Sequence, residues 1–564
     1  MQQETSLPRW HLWFAALLPI LFLVPFLNKA VHIDDTVYIY VARWIQHHPI
    51  DFYSFPITWD NQPMWVFLFN RNPPLLPFYL GTLAFLVGWS EVALHALQLI
   101  PTALTSVGIL VLANRLCRHP VMALCAAVLT PAFLVSGSTI MCEPLMLMFY
   151  VWAIVLWIRG LDTESQATLI ASSVCIALGM LSKYVVITAI PLLLAYTLCR
   201  DRAFSRKLYI LLIPCGVFAM YELFGIFKYS TSFFRGPIVA GSGDPLTLRT
   251  LFSEAVNGLS FTGAIFISAL LLIPMLHRAK MLLALLGVFG LTLIAVILPE
   301  DAVWSYWVHR DDAIRWGLVV QLSLFITGGL HILLLAGLDA YRERNEDSLL
   351  LVLWVVGIFA FGSFLNWTTS SRSLLPMAPA VAILAIRQFE RMEWSATSLK
   401  FASLPLAASA AIATAVCIGD YAYAASTRTA VEQIYSEADQ SKGRTWFQGH
   451  WGFQYYMEQR NATHINWTFL SNEPVPMPEE GDRIVWWVAQ YSVFPFELFA
   501  EDKKLVEIEQ LWLVSTMNLS NGSGFYWSAM GPVPYYFGSS SPEQFWVYDL
   551  GPNPWRAYQR PAED

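Results

Sequence analysis

The sequence predicts an α-helical polytopic membrane protein that ends in a soluble, mixed α/β domain. Three observations predict it. Apolar runs long enough to cross a bilayer recur between residues 10 and 419. Charged residues make up only 13% of the chain, against about 25% in an ordinary soluble domain. Beyond Gly419 the long runs stop, and the rest is rich in Trp, Tyr, Pro and Gly with scattered charge.

The first run, 10–30, is expected to remain as a span, because no Ala-x-Ala cleavage pattern follows it. Directly after it stands His32-Ile33-Asp34-Asp35-Thr36. Two adjacent carboxylates at the lip of a bilayer are costly, since burial and a like charge each disfavour ionisation. They read either as a general base at a membrane-surface site or as a solvated loop and helix cap. The next apolar piece, 73–89, is short and opens with Pro73-Pro74 and Pro77 after Arg71. It is expected to lie in the interface rather than to cross.

Twelve further runs then follow, over 92–114, 120–136, 145–158, 167–181, 185–198, 208–227, 254–276, 281–298, 317–338, 349–365, 374–386 and 401–419. With the first, this makes about 13 spans. The arrangement puts the basic clusters Arg115/Arg118, Arg200/Arg202/Arg206/Lys207, Arg278/Lys280, Arg342/Arg344 and Arg387/Arg391 on one side, which the positive-inside rule makes cytoplasmic. Residues 1–419 then form a transmembrane domain, with 31–91 as its first outer loop, and 420–564 an extracytoplasmic domain.

On the outer side this map collects Asp34, Asp35, Arg71, Asn72, Glu143, Lys183, Arg310, Asp311, Asp312 and Arg372. Ionisable groups at membrane depth are functional candidates, and acids and bases on one rim suit chemistry on an anionic, lipid-borne substrate. Simpler roles stand beside each. Asp35 and Glu143 could be structural or hold Mg or Mn. Lys183 could snorkel at a span end, Arg372 could anchor the surface, and 309–312 could be a salt-bridged loop. The seven cysteines lie between 117 and 417, which supports neither a disulfide framework in the tail nor a zinc site. There is no nucleic-acid motif and no Gly-rich phosphate loop, and the net charge of −7 is not concentrated in one block.

The acidic pair after the first span, followed by Asn72-Pro73-Pro74-Leu75, resembles the GT-C glycosyltransferases. The similarity is to family 39 and its bacterial relatives, the protein O-mannosyltransferases and the lipid A aminoarabinose transferase. Further matches are Glu143-Pro144-Leu145, Ser182-Lys183-Tyr184 and Ser371-Arg372-Ser373-Leu374-Leu375-Pro376 with Pro379. The run 449–456, Gly-His-Trp-Gly-Phe-Gln-Tyr-Tyr, also looks like a feature of bacterial members. The second acid is Asp35 where the family usually has Glu, and Glu143 stands where Asp is common. The Arg that often opens the second span's motif is absent from 99–104, leaving His95 or Gln98 as substitutes.

The resemblance implies transfer of a sugar from a polyprenyl-phosphate carrier to a lipid, glycan or protein acceptor outside the cytoplasm, at a bacterial inner membrane, with inversion. It implies Asp34 as general base, assisted by Asp35 and Glu143, and Lys183, Arg372 and Arg71 as partners of the donor phosphate. It leaves a divalent metal open. A transporter or flippase of a lipid-linked saccharide is the alternative, for which inverted repeats and broken midplane helices would be expected.

Overall fold

The computed structural model describes residues 7–59, 62–70, 72–234, 247–298, 302–310, 313–394, 400–437, 443–471, 474–488, 500–510 and 513–555. Among these, nine helices are long and apolar enough to cross a membrane, or ten if a bent pair counts as one span. The chain is an integral membrane protein.

Several of the thirteen expected runs are shorter or more broken than a continuous spanning helix. The run 167–181 forms a helix of only 15 residues, Gln166–Met180. The run 254–276 falls within three pieces, Leu248–Ile265, Ile267–Leu271 and Ile273–Leu276, with Pro274 opening the last. The run 374–386 starts in the 3-10 turn Leu375–Met377, where Pro376 removes a backbone donor, and continues as Ala378–Arg391. The run 120–136 is two helices, Pro120–Val128 and Pro131–Gly137, bent by 63°. The piece expected in the interface forms Leu75–Val87, 13 residues, or about 20 Å at 1.5 Å per residue against a hydrocarbon core of about 30 Å.

Close helix packing is set by small residues, as at many membrane interfaces. Leu248–Ile265 crosses Trp316–Glu343 where Gly263 faces the carbonyl of Phe325, and any Cβ at 263 would collide with that carbonyl. Glu143–Asp162 packs between Glu91–Leu116 and Gln166–Met180, so one end of this layer brings Glu143 beside the loop that carries Lys183.

The apolar run that ends at Gly419 belongs to a 34-residue helix, Ser403–Ser436, which continues unbroken beyond it. That helix leads into a five-stranded mixed sheet in the order Thr463–His464, Thr445–Gln448, Arg483–Trp487, Glu543–Leu550, Ala500–Ile508. The first three strands are parallel, and the helix Trp451–Gln459 connects the first pair in sequence. The last two pair antiparallel, with Phe545 opposite both Trp487 and Val506. The expected α/β character of the tail is therefore present.

Candidate active site

The acidic stretch forms a tight turn into the helix Asp35–Ile45. Ile33 sits in the left-handed region at φ 48°, unfavourable for a β-branched residue and costing about 1–3 kcal/mol. The turn is held by surrounding bonds. The carbonyl of His32 accepts from Asp35 N at 3.1 Å and that of Asp34 from Val37 N at 3.0 Å. The tail clamps the same turn from outside. Tyr456 Oη accepts from Val31 N at 2.8 Å, and Thr36 Oγ1 donates to the Trp451 carbonyl at 2.8 Å. Gly452 lies against the Val31 carbonyl with no room for a Cβ. The run 449–456, which carried no chemistry in the sequence, is thus the buttress of the acidic turn.

The two acids separate in role. Asp35 is fully buried. Its Oδ1 accepts from Ile140 N at 3.0 Å, and its Oδ2 faces His32 N at 3.3 Å and His32 Nδ1 at 3.1 Å. Those contacts use the carboxylate to tie its own turn to the chain before Glu143. Asp34 keeps its side chain 30% exposed and binds Arg372, with Oδ2 2.9 Å from Nη1.

Arg372 lies on the short helix Ser371–Leu374, capped at its N-terminus by reciprocal Ser370 and Ser373 bonds. Besides Asp34 it touches Met141 Sδ at 2.9 Å and reaches to 3.9 Å from Glu143 Oε1. Burial works against the charged guanidinium, but Asp34 and Glu143 beside it outweigh that and hold it above its ordinary range. Glu143 opens the helix Glu143–Asp162, where the helix dipole favours an anion. Lys183 Nζ donates to Glu143 Oε1 at 2.6 Å. Glu143 Oε2 and Arg372 Nε are buried and have no hydrogen-bond partner among the described residues.

Five of the six candidates, Asp34, Asp35, Glu143, Lys183 and Arg372, therefore meet at one place. Arg71 lies outside the described residues, as do Asp311 and Asp312. The Asn72 carbonyl accepts from Tyr53 Oη at 2.7 Å, and Leu75 N bonds the Leu181 carbonyl at 3.0 Å two residues before Lys183. Arg310 Nη1 donates to the Ser520 carbonyl at 2.6 Å. Gln98 reaches the Met141 carbonyl at 3.1 Å, whereas His95 bonds back to Glu91 within its own helix. Among the described residues no group of three or more His, Cys, Asp or Glu side chains is arranged to hold a metal ion.

Four residues that sequence reasoning did not assign stand behind the cluster. Lys29 and Asp420 form a fully buried ion pair, and Lys29 also reaches Ser138 Oγ at 3.2 Å. Asp420 accepts from Thr516 Oγ1 at 3.0 Å and Tyr526 Oη at 2.7 Å. His32 Nε2 lies 3.0 Å from Tyr526 Oη. The signal was present in part. Lys29 interrupts the first apolar run and Asp420 directly follows the last, and charges at such positions need partners.

Residues 71–222 match the family model of dolichyl-phosphate-mannose-protein mannosyltransferases. No curated protein matches the chain. Among solved structures, the oligosaccharyltransferase of Archaeoglobus fulgidus in its apo form is similar at 12% identity and a TM-score of 0.48, covering 82% of this chain and 65% of that one. ArnT from Cupriavidus metallidurans, bound to undecaprenyl phosphate, is similar at 15% identity and a TM-score of 0.42, over 85% of this chain and 93% of that one. The mycobacterial arabinofuranosyltransferase AftD is similar at 13% identity and a TM-score of 0.41, over 98% of this chain and 40% of that one. With its family match over 71–222 and its motifs at Asp34, Glu143, Lys183 and Arg372, the chain resembles the GT-C glycosyltransferases of family 39.

Proposed function

We propose that this protein is a membrane glycosyltransferase that moves a sugar from a polyprenyl-phosphate carrier to a hydroxyl of a glycan, lipid or protein acceptor, on the extracytoplasmic side of a bacterial inner membrane. One observation carries the reading. Of the four carboxylates gathered here, Asp35, Glu143 and Asp420 are completely buried, while Asp34 keeps 30% of its side chain open. The open acid is bonded to Arg372, and Arg372 and Lys183 both face Glu143.

In the reaction the bond between the anomeric carbon and the carrier phosphate oxygen breaks, and the acceptor oxygen bonds to that carbon. The acceptor proton passes to Asp34. The departing phosphate gains charge as the sugar becomes oxocarbenium-like, so cations placed at the phosphate lower the barrier. Lys183 and Arg372 supply them through charge-assisted bonds. A donor phosphate here competes with Asp34 for the guanidinium, which leaves the carboxylate freer to accept a proton. One base and no separate nucleophile favour inversion.

Purified protein in lipid nanodiscs, given polyprenyl-phosphate sugars and candidate acceptors, should form product. Asp34→Asn should lower turnover about 100-fold or more while retaining donor binding, since the isostere keeps shape and loses the proton acceptor. Near-normal turnover by Asp34→Asn would remove it from the mechanism.

A further inference from the structure

We infer that Tyr526, contributed by the C-terminal domain, is a positioning residue of this site, its ring supporting Arg372 and its hydroxyl joining His32 to Asp420. The inference rests on the function proposed above. Tyr526 is 2% exposed. Its ring centroid lies 5.3 Å from the Arg372 guanidinium carbon, within cation–π range. Its hydroxyl lies 2.7 Å from Asp420 Oδ2 and 3.0 Å from His32 Nε2. Burial first, then the nearby Asp420 and Asp35 charges, push the phenol well above its ordinary range, so it remains a hydroxyl and donates to Asp420. The same oxygen lies against His32 Nε2, and His32 Nδ1 faces Asp35 Oδ2 at 3.1 Å.

One side chain thus bears on both halves of the reaction. Through its ring it sets the guanidinium that meets the phosphate. Through its hydroxyl, His32 and Asp35 it fixes the turn that presents Asp34. The segment that carries it is tied to the Arg372 turn by backbone bonds, Ser371 N to the Phe525 carbonyl at 3.0 Å and Ser528 N to the Thr369 carbonyl at 3.0 Å. Those bonds fix where the ring sits independently of the hydroxyl, so its two functions can be separated by substitution.

Two substitutions, Tyr526→Phe and Tyr526→Leu, divide them. Tyr526→Phe keeps the ring and should lower kcat by about 10- to 150-fold, the equivalent of one hydrogen bond to a charged group, with donor KM unchanged. Tyr526→Leu should in addition raise donor KM by about 2- to 30-fold, the range of a cation–π contact. In an Arg372→Ala background Tyr526→Leu should raise donor KM no further, because the two side chains act as one unit. A merely structural role would reduce the active fraction and leave KM alone. Unchanged donor KM in Tyr526→Leu, or an undiminished KM increase in the Arg372→Ala background, would overturn the inference. Wild-type protein inactive on every lipid-phosphate sugar would instead count against the function itself, and the variants distinguish the two failures.

Discussion

At the scale of single residues, the cluster explains why two cations serve one carboxylate. Glu143 is fully buried with one oxygen bonded to Lys183 and the other without a partner among the described residues. Burying a lone carboxylate costs several kcal/mol, so the two cations are what keep it ionised. A phosphate that approaches Lys183 and Arg372 gains charge-assisted bonds worth about 1.5–3 kcal/mol each. Lys183→Ala and Arg372→Ala should therefore each weaken donor use by about 10- to 150-fold. Arg372→Ala should lower kcat as well, because Asp34 loses its partner, whereas Lys183→Ala should act mainly on donor KM. Titrating both variants with a polyprenyl-phosphate sugar checks this, and wild-type KM in both would exclude a phosphate site here. Asp34, Glu143, Lys183 and Arg372 were legible in the sequence because each stands at the end of an apolar run beside a short motif. Tyr526 was not, since it sits in an aromatic-rich tail where nothing local separates it from core residues such as Tyr535 and Phe545.

At the scale of elements, the tail is a load on the acidic turn as much as a separate domain. Its sheet presents Trp487 and Phe545 to the helix Trp451–Gln459, which in turn holds Val31 and Thr36. Glu543 opens the strand Glu543–Leu550, buried, accepting from Trp487 Nε1 and Gln510 Nε2 at 2.7 Å each. Burial raises its carboxyl to about 7, and the two bonds only partly oppose the rise. The folded state then keeps a proton that the unfolded chain releases near pH 4.5, so this group's stabilisation is full below that pH and is lost as pH rises towards 7. His450 and His464, lowered by burial to about 3 and about 4, act in the opposite sense and lose stability as pH falls below 6.5. Because both slopes overlap, the wild type alone does not isolate the carboxyl. Glu543→Gln should melt below wild type at pH 5, since its amide satisfies only one of the two N–H donors, and the gap should close as pH approaches 7. A gap independent of pH would show that Glu543 is ionised throughout. The sequence made an α/β tail expected, but its strand order depends on pairings between residues as far apart as Arg483 and Asp549, which single-sequence patterns do not carry.

At the scale of the whole molecule, charge is divided between the two ends of the helical layer. The helix Glu143–Asp162 places Glu143 in the candidate site and Asp162 at its far end, about 30 Å away at 1.5 Å per residue. There Asp162 pairs with Arg115 at 3.5 Å, Arg115 with Asp347 at 3.2 Å, and Arg387 with Asp339 at 3.2 Å. These two arginines come from sequence-distant basic clusters, so the fold gathers at one end charges that the positive-inside rule assigns to the cytoplasm. The basic clusters were legible in the sequence because loop charge is local, while the breaks that proline makes inside apolar runs, as at Pro131 and Pro376, were not. The topology we propose from this division has Asp34 and the sheet facing away from the cytoplasm. A single cysteine at Asp201, exposed at the end of the helix Ala189–Asp201, should resist an impermeant thiol reagent in intact cells, and one at Ser539, exposed in the tail, should react. The background needs all seven native cysteines replaced, with Cys142→Ser the substitution to check for activity because Tyr38 Oη bonds its sulfur at 3.2 Å. Labelling at Asp201 but not at Ser539 would invert the map and put the acidic turn in the cytoplasm. A sugar donor would then have to be presented from the inner leaflet.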